Sequence, residues 1–575
     1  MGVDFRRNRF DTLRGNPFFG QFIFGSIFSS SSDTPGSGAP FADYLMGFPS
    51  LIQGTQMLDW GRQADVYFGT FFQDDWKLSK KLTLNLGFRY DLYTQPIDIR
   101  DRGGLFDVDK SRFAVPGKDG YTRGIVDGDH NNFGPRAGFA YQAGRRWVMR
   151  GGYGIFYGLR DQSQEGTQIA GNNPNTPALI APVVNASRTV APPYTINSPV
   201  LAGPTATTLE AYSAAAPLAR TIRTQGFHDA RFPMLDQYNF SIQFQPAEAL
   251  LIETSYQGAR GRDLATLFIN VNQVPFEFAL DGRNVQARRP YPMINGVVIP
   301  SFSKAKSNYN AFNLRVEKRH RNGLNFLANY TWQKNMEEGG SGPNAFTQNG
   351  GTSIALDAYN LSREKGLAPI DVAHIFNVSY GYELPWGPGQ RWASGRGVAG
   401  KVIGGWQLNG ITFVRGGFPT DIRTNRLPPI FNTFNVPDRV KGEPVQVSSK
   451  RGPDSFFNPA AFRVPGTTLS NTGAPIQLFG DSARRVARGP GSVNFDFSLF
   501  KEVTFGDRMR LQFRTEAFNL TNTPTFSLAS SNTPPMTCIG RTPGSACNDN
   551  NPEFGKLSGA QATGRQLQFG LKFLF

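Results

Sequence analysis

The last eleven residues of the chain alternate. Leu567, Phe569, Leu571, Phe573 and Phe575 occupy one set of positions, and Gln566, Gln568, Gly570 and Lys572 the other, with Leu574 as the exception. Successive side chains of a β-strand point to opposite faces, so the run predicts a strand with one apolar and one polar surface. The pattern recurs upstream. Leu82, Leu84, Leu86, Phe88 and Tyr90 alternate with Thr83, Asn85, Gly87, Arg89 and Asp91. Tyr238, Phe240, Ile242 and Phe244 alternate with Asn239, Ser241, Gln243 and Gln245. Phe376, Val378, Tyr380 and Tyr382 alternate with Asn377, Ser379, Gly381 and Glu383, and Met509, Leu511 and Phe513 with Arg510, Gln512 and Arg514. Soluble β-sandwiches also alternate. Three details point elsewhere. The apolar sets are rich in aromatics, the polar sets carry Arg and Glu in mid-strand, and many runs reach about ten residues, the length of a tilted membrane crossing.

About fourteen to sixteen such segments are legible. They pair as 64–77 with 81–93, 133–142 with 145–159, 236–246 with 249–258, 310–320 with 323–334, 373–384 with 404–416, and 493–504 with 507–519. The links Arg321-Asn322-Gly323 and Phe505-Gly506-Asp507 are short. Long polar segments separate the pairs, at about 160–234, 259–308, 335–370, 417–492 and 520–564. Short turns alternating with long loops are the asymmetry of outer-membrane barrels. The expected fold is all-β, an antiparallel transmembrane β-barrel occupying residues 1–575.

Composition agrees. Of 575 residues, 39% are hydrophobic and only 18% charged, with 64 Gly and 49 Phe, which favours many short strands joined by glycine-containing turns. No run approaches the ~18 apolar residues of a spanning helix. The mean hydropathy of −0.35 does not exclude a membrane, because only alternate strand residues face lipid. The net charge of +16 is dispersed, with no basic helix or compact basic run, so nucleic acid is not an expected partner. A basic barrel suits anionic lipopolysaccharide and outer-membrane lipid. Cys538 and Cys547 lie close together in a segment rich in Asn, Thr, Pro and Gly, and an exported protein makes a disulfide loop clip the expectation. The segment Met1–Arg7 contains no apolar signal-peptide core. The segment carrying the export signal is therefore expected to precede Met1.

Particular residues carry a family resemblance. Arg488-Gly489-Pro490-Gly491 followed by Phe495-Asp496-Phe497-Ser498-Leu499-Phe500-Lys501, and the stretch from Arg510 to Asn522, resemble the end of Oar-like TonB-dependent receptor barrels. Tyr67–Trp76, Leu84–Tyr90, Asn329–Lys334 and Gly404–Leu408 are similar to the same family, so the resemblance runs from about residue 40 to the end. It implies a barrel of 22 strands, of which this chain would supply its 14–16 from the C-terminal side, truncated before them. It also implies a plug domain with a TonB box and an N-terminal domain, neither of which can be located here. TonB would act only through that plug. The alternating Leu567, Phe569, Leu571, Phe573 and Phe575 resemble the signal read by the barrel-assembly machinery. The implied function is a Gram-negative outer-membrane receptor that binds and admits an external substrate of unknown identity.

Chemistry is sparse. His130, His228, His320 and His374 have no ligand-like spacing, and His374 at a strand start predicts a structural hydrogen bond. Gly395–Gly400 matches G-x-G-x-x-G, yet no buried strand precedes it and Pro385 and Pro388 mark a loop. Asp74-Asp75 reads as a strand end. No catalytic, cofactor or metal residue is expected, and the chain is not expected to be an enzyme. The rival readings are a non-enzymatic surface adhesin or ligand-binding β protein, a secreted hydrolase on a β scaffold, and a truncated remnant without transport activity.

Overall fold

The computed structural model describes the chain apart from residues 13–20, 26–27, 31–37, 50, 56–60, 102–103, 159–177, 183–222, 226–230, 265–266, 280–284, 293–298, 303, 339–354, 396, 425–434, 448–451, 472, 474, 506–508, 528–535, 540–541 and 561–563. Its main element is a sheet of 16 strands, 14 of them on one unbroken path. We number those β1 (Gly2–Thr12), β2 (Gly61–Lys77), β3 (Leu82–Tyr93), β4 (Phe133–Tyr141), β5 (Trp147–Tyr157), β6 (Met234–Ala247) and β7 (Leu250–Leu264). The path continues through β8 (Ala305–Arg321), β9 (Leu324–Glu338), β10 (His374–Glu383), β11 (Trp406–Arg415), β12 (Ser492–Phe505), β13 (Met509–Phe518) and β14 (Gln566–Leu574). Each strand pairs antiparallel with the next in sequence. Among the described residues no ladder joins β14 to β1, and no helix is long and apolar enough to cross a membrane.

Strict register makes two unlike faces. One row runs across the sheet through Leu84, Phe139, Gly151, Phe240, Tyr256, Phe312, Trp332 and His374. Phe240, Tyr256, Phe312 and Trp332 are all exposed. The opposite face carries Asn325, Gly381, Asn409, Ser498, Glu516 and Gln568 in one row. A soluble protein does not expose so wide an apolar face. Gly151 shows how the row closes up. The Phe139 and Phe240 rings meet over it with centroids 6.4 Å apart, and a Cβ there would sit 2.6 Å from Phe139 Cε1.

Connections alternate in kind. At one end lie 78–81, 142–146, 248–249, 322–323, 384–405 and 506–508; at the other lie 13–60, 94–132, 158–233, 265–304, 339–373, 416–491 and 519–565. Asn322 (φ 56°) and Gly323 (φ 74°) close the β8–β9 hairpin, the positive-φ pair that a two-residue turn between twisted strands requires. Gly506 and Asp507 of the Phe505–Asp507 link fall outside the described residues, as does most of 160–234.

The structure corrects the sequence reading at three places. β1 lies before the first segment recognised by alternation, because Arg7 and Arg9 fall on the positions that Val3 and Phe5 begin. β7 and β8 run past the ends assigned to them, so the loop expected at 259–308 shrinks to 265–304. The segment after Pro388, read as loop, contains a short helix, Val398–Ile403.

Candidate functional site at the long-connection end

Two unlike surfaces meet at the long-connection end: a packed body of loops and the polar face of the sheet. The loop body starts with hydrophobic burial. Ile422, Phe456, Phe457, Phe462, Met536, Cys538, Cys547 and Phe554 form a buried cluster drawn from the connections 416–491 and 519–565. Backbone pairing fuses the two connections. Arg423 and Thr424 run parallel to Thr537 and Cys538, and Val464 N donates to Ser545 O at 3.0 Å. Gly555 O accepts from the amides of both Phe456 and Phe457, at 2.9 and 3.0 Å. Gly555 itself has φ 89°, and a Cβ there would meet Phe457 O at 2.5 Å. Cys538 and Cys547 are joined by a disulfide, with Cα atoms 4.2 Å apart.

A buried charge network ties this body to the 339–373 connection. The Arg484 guanidinium is fully buried between Glu364 (2.6 Å) and Asp421 (3.1 Å). Glu364 also accepts from Leu356 N at 2.6 Å, and Asp421 from Arg485 N at 2.8 Å. Arg488 pairs with Asp371, and Arg485 donates to Leu367 O. Burial alone pushes the Asp421 carboxyl up; the charges of Arg484 and Arg485 outweigh it and hold the group below the ordinary aspartate value. Burial pulls the Arg484 guanidinium down, and Asp421 and Glu364 more than restore it. A guanidinium fork suits two carboxylates because its donors are rigid and planar.

Further contacts extend the body around the rim. Tyr359 Oη donates to Gln273 O and Tyr291 Oη to Val108 O, both at 2.8 Å. These link 339–373 to 265–304, and 265–304 to 94–132. Burial, reinforced by Glu277 and Asp357, pushes the Tyr359 phenol up to about 12. Asp129 accepts from Phe232 N at 2.8 Å, and Phe232 packs on Tyr93, with ring centroids 4.8 Å apart.

Below the loops, the polar face offers amides, hydroxyls and carboxylates. One cavity of about 400 Å³ is lined by Asn325, Ser379, Gln407, Asn409, Asp496 and Glu516, among others. A second, of about 470 Å³, is lined by Gln237, Asn239, Ser241, Glu253, Gln257 and Tyr309. Neighbouring side chains bond along the wall: Asn329 Nδ2 donates to Asn377 Oδ1 at 3.0 Å, and Gln243 Nε2 to Glu253 Oε2 at 3.1 Å. Toward β1, Tyr67 Oη donates to Asp91 at 2.6 Å, and Arg89 binds the same carboxylate at 2.9 Å. Such a surface can hold a polar ligand or a polar protein segment by hydrogen bonds.

Leu567, Phe569, Leu571, Phe573 and Phe575 are all exposed on the apolar side of β14 and its end, Leu571 at 70%. The histidines stay apart. His374 Nδ1 shares a 2.8 Å hydrogen bond with Tyr330 Oη, His320 lies 4.0 Å from Glu383, and His228 is outside the described residues. Asp75 accepts from Asn85 Nδ2 at 2.6 Å. Among the described residues no three His, Cys, Asp or Glu side chains are grouped to hold a metal. Sequence reading missed the Glu364–Arg484–Asp421 network. The adjacent pair Arg484-Arg485 does not distinguish it, because Arg6-Arg7, Arg145-Arg146 and Arg288-Arg289 are adjacent pairs as well.

The family model described as an outer membrane beta barrel domain matches residues 1–568. No curated protein matches the chain. Among solved structures it is similar to the outer membrane transporter YddB from Escherichia coli, at 8% identity and TM-score 0.38, covering 92% of this chain and 52% of that one. It is also similar to the copper transporter OprC, at 10% identity and TM-score 0.38, covering 91% and 54%. A third is the ferripyoverdine receptor of the outer membrane of Pseudomonas aeruginosa, at 9% identity and TM-score 0.36, covering 92% and 40%. The chain spans about half the length of these structures, or less.

Proposed function

Because this chain belongs to the family of outer membrane beta barrel domains, we propose that it forms the wall and outer loops of a receptor that binds an external substrate and admits it. Its place is the outer membrane of a Gram-negative cell, with the apolar face of the sheet against lipid. The observation that carries the receptor reading is that the seven longest connections all leave the sheet at one end. There the loops interlock above a hydrogen-bonding wall. Binding sites are commonly built from loops held by a rigid scaffold.

The reading places these 14 strands in a larger, TonB-dependent barrel of 22. An unpaired backbone group in lipid costs several kcal/mol, so strands from elsewhere in the protein would cover the outer edges of β1 and β14, which no ladder joins among the described residues. A plug carrying the TonB contact would sit against the polar wall. The apolar set of β14 would be read by the barrel-assembly machinery. No catalytic role is assigned.

The test is uptake by intact cells. A strain lacking the gene is offered labelled iron chelates, oligosaccharides and peptides, beside a strain lacking TonB. The expected result is that both lose accumulation of the same compound and that the full-length gene restores it. Undiminished uptake of every compound, together with lost surface adhesion, would instead support the adhesin.

A further inference from the structure

The connection 384–405 stands out at the short-connection end, where its counterparts are tight turns. It carries Trp386, Arg391, Trp392, Arg396 and Lys401, and no Asp or Glu between Leu384 and Trp406. Its helix, Val398–Ile403, presents Val398 and Val402 to the outside at 80% and 61% exposure, and Trp392 is 52% exposed. The cation of Arg391 lies 5.6 Å from the centre of the Trp392 ring.

Two side chains fix where the helix sits. Lys501 Nζ donates to Lys401 O at 2.5 Å and Val402 O at 3.1 Å, and also to Gly404 O. Trp406 Nε1 donates to Val402 O at 3.1 Å, and Lys501 lies over the Trp406 ring at 5.3 Å. Trp406 and Lys501 are register partners. They share the apolar face with Leu408, Val414, Val493 and Phe497, so the helix is held on the lipid side of the sheet. The orphan carbonyls of the helix end, which hydrocarbon would leave unsatisfied, accept from the Lys501 ammonium.

The same level is marked elsewhere in the molecule. Of the seven tryptophans, Trp76, Trp147, Trp386, Trp392 and Trp406 lie at the short-connection end. Trp76 and Trp147 are exposed at the ends of β2 and β5. Indole rings settle at the membrane–water boundary, apolar body inward and N–H toward the headgroups.

The geometry points to the segment 385–404 as an interfacial anchor that lies in the phospholipid headgroup layer on the short-connection side of the membrane. The occupant of its exposed apolar face is lipid. Val398, Val402 and Ile403 dip toward the acyl chains, and Arg391 and Lys401 meet phosphate. An amphipathic helix with cationic flanks and apolar residues on one side binds a membrane surface in this way. The inference rests on the outer-membrane location, and the experiment separates the two.

Nitroxide labels are placed singly through V398C, V402C, L571C and K80C in the full-length protein, reconstituted in vesicles of phosphatidylethanolamine and phosphatidylglycerol. The two native cysteines are disulfide-bonded and leave the reagent to the new thiol. Collision with dissolved oxygen is compared with collision with a water-soluble nickel chelate. The expected result is an oxygen-to-nickel ratio at V398C and V402C several times that at K80C, in the exposed β2–β3 turn, and approaching that at L571C. If V398C and V402C match K80C while L571C reads lipid, the anchor is wrong and the membrane reading stands. If L571C also matches K80C, the sheet is not in lipid and both fail.

Discussion

Arg484 is paired with two buried carboxylates, those of Glu364 and Asp421, so its loss leaves both without their counter-charge. Removing one partner of a buried ionic group strands the others without water or counter-charge. R484M is expected to destabilise the loop body by about 3–5 kcal/mol. The measurement is the urea midpoint for protease cleavage within 416–491 in isolated outer membranes. Replacing Glu364, Asp421 and Arg484 together by apolar residues of similar size should recover most of that loss, since a whole buried network often exchanges for hydrophobic packing at little cost. Asp421 also sets a pH dependence. Its folded value lies below the ordinary aspartate value, so its contribution is complete above the unfolded value and is lost as pH falls through the folded one. Protease resistance of the loop body should therefore hold near neutrality and decline below about pH 4. In D421N the part of that decline owed to this carboxylate should vanish, and an unaltered acid profile would remove Asp421 from the account.

At the scale of the strand, face decides the cost of a substitution. Leu571 and Lys572 are neighbours in β14 yet stand on opposite sides of the sheet. L571R puts a cation against lipid and should cost about 2–4 kcal/mol if it lies near the bilayer midplane. Q568R, on the polar face, should be nearly neutral. The readout is the urea midpoint of tryptophan fluorescence in vesicles, and equal shifts for both variants would contradict the assignment of faces. The strands were legible because their period of two persists through β2 to β14. β1 was not, because Arg7 and Arg9 break its apolar set, and only its eleven-residue ladder with β2 identifies it.

For the whole molecule, stability divides between the sheet and the loop body. Among the described residues the largest buried apolar cluster lies in the connections 416–491 and 519–565, and a smaller one joins Tyr67 and Tyr93 of the sheet to Phe232. The Cys538–Cys547 bond closes a small loop, with sequence separation 9. Its removal in C538A/C547A is expected to lower the stability of the loop body by about 2–3 kcal/mol through the entropy of the opened chain. The same variant should leave the fluorescence midpoint of the sheet unchanged. Parallel loss of both midpoints would show that the loops and sheet unfold as one unit.

Alternation, the succession of short and long connections and the absence of a spanning helix were determined by the sequence alone, because a strand's faces and a turn's tightness are local properties of neighbouring residues. The close pairing of two cysteines belonged to the same local order. Only the tertiary structure decided that Glu364, Asp421 and Arg484 meet, since their contact joins residues more than sixty positions apart. The helix at Val398–Ile403 was decided in the same way. Its own six residues do not announce it, and a lysine on another strand completes its C-terminal end. Distant partners of this kind are invisible to periodicity, which records the face a residue takes and not what the folded chain brings to it.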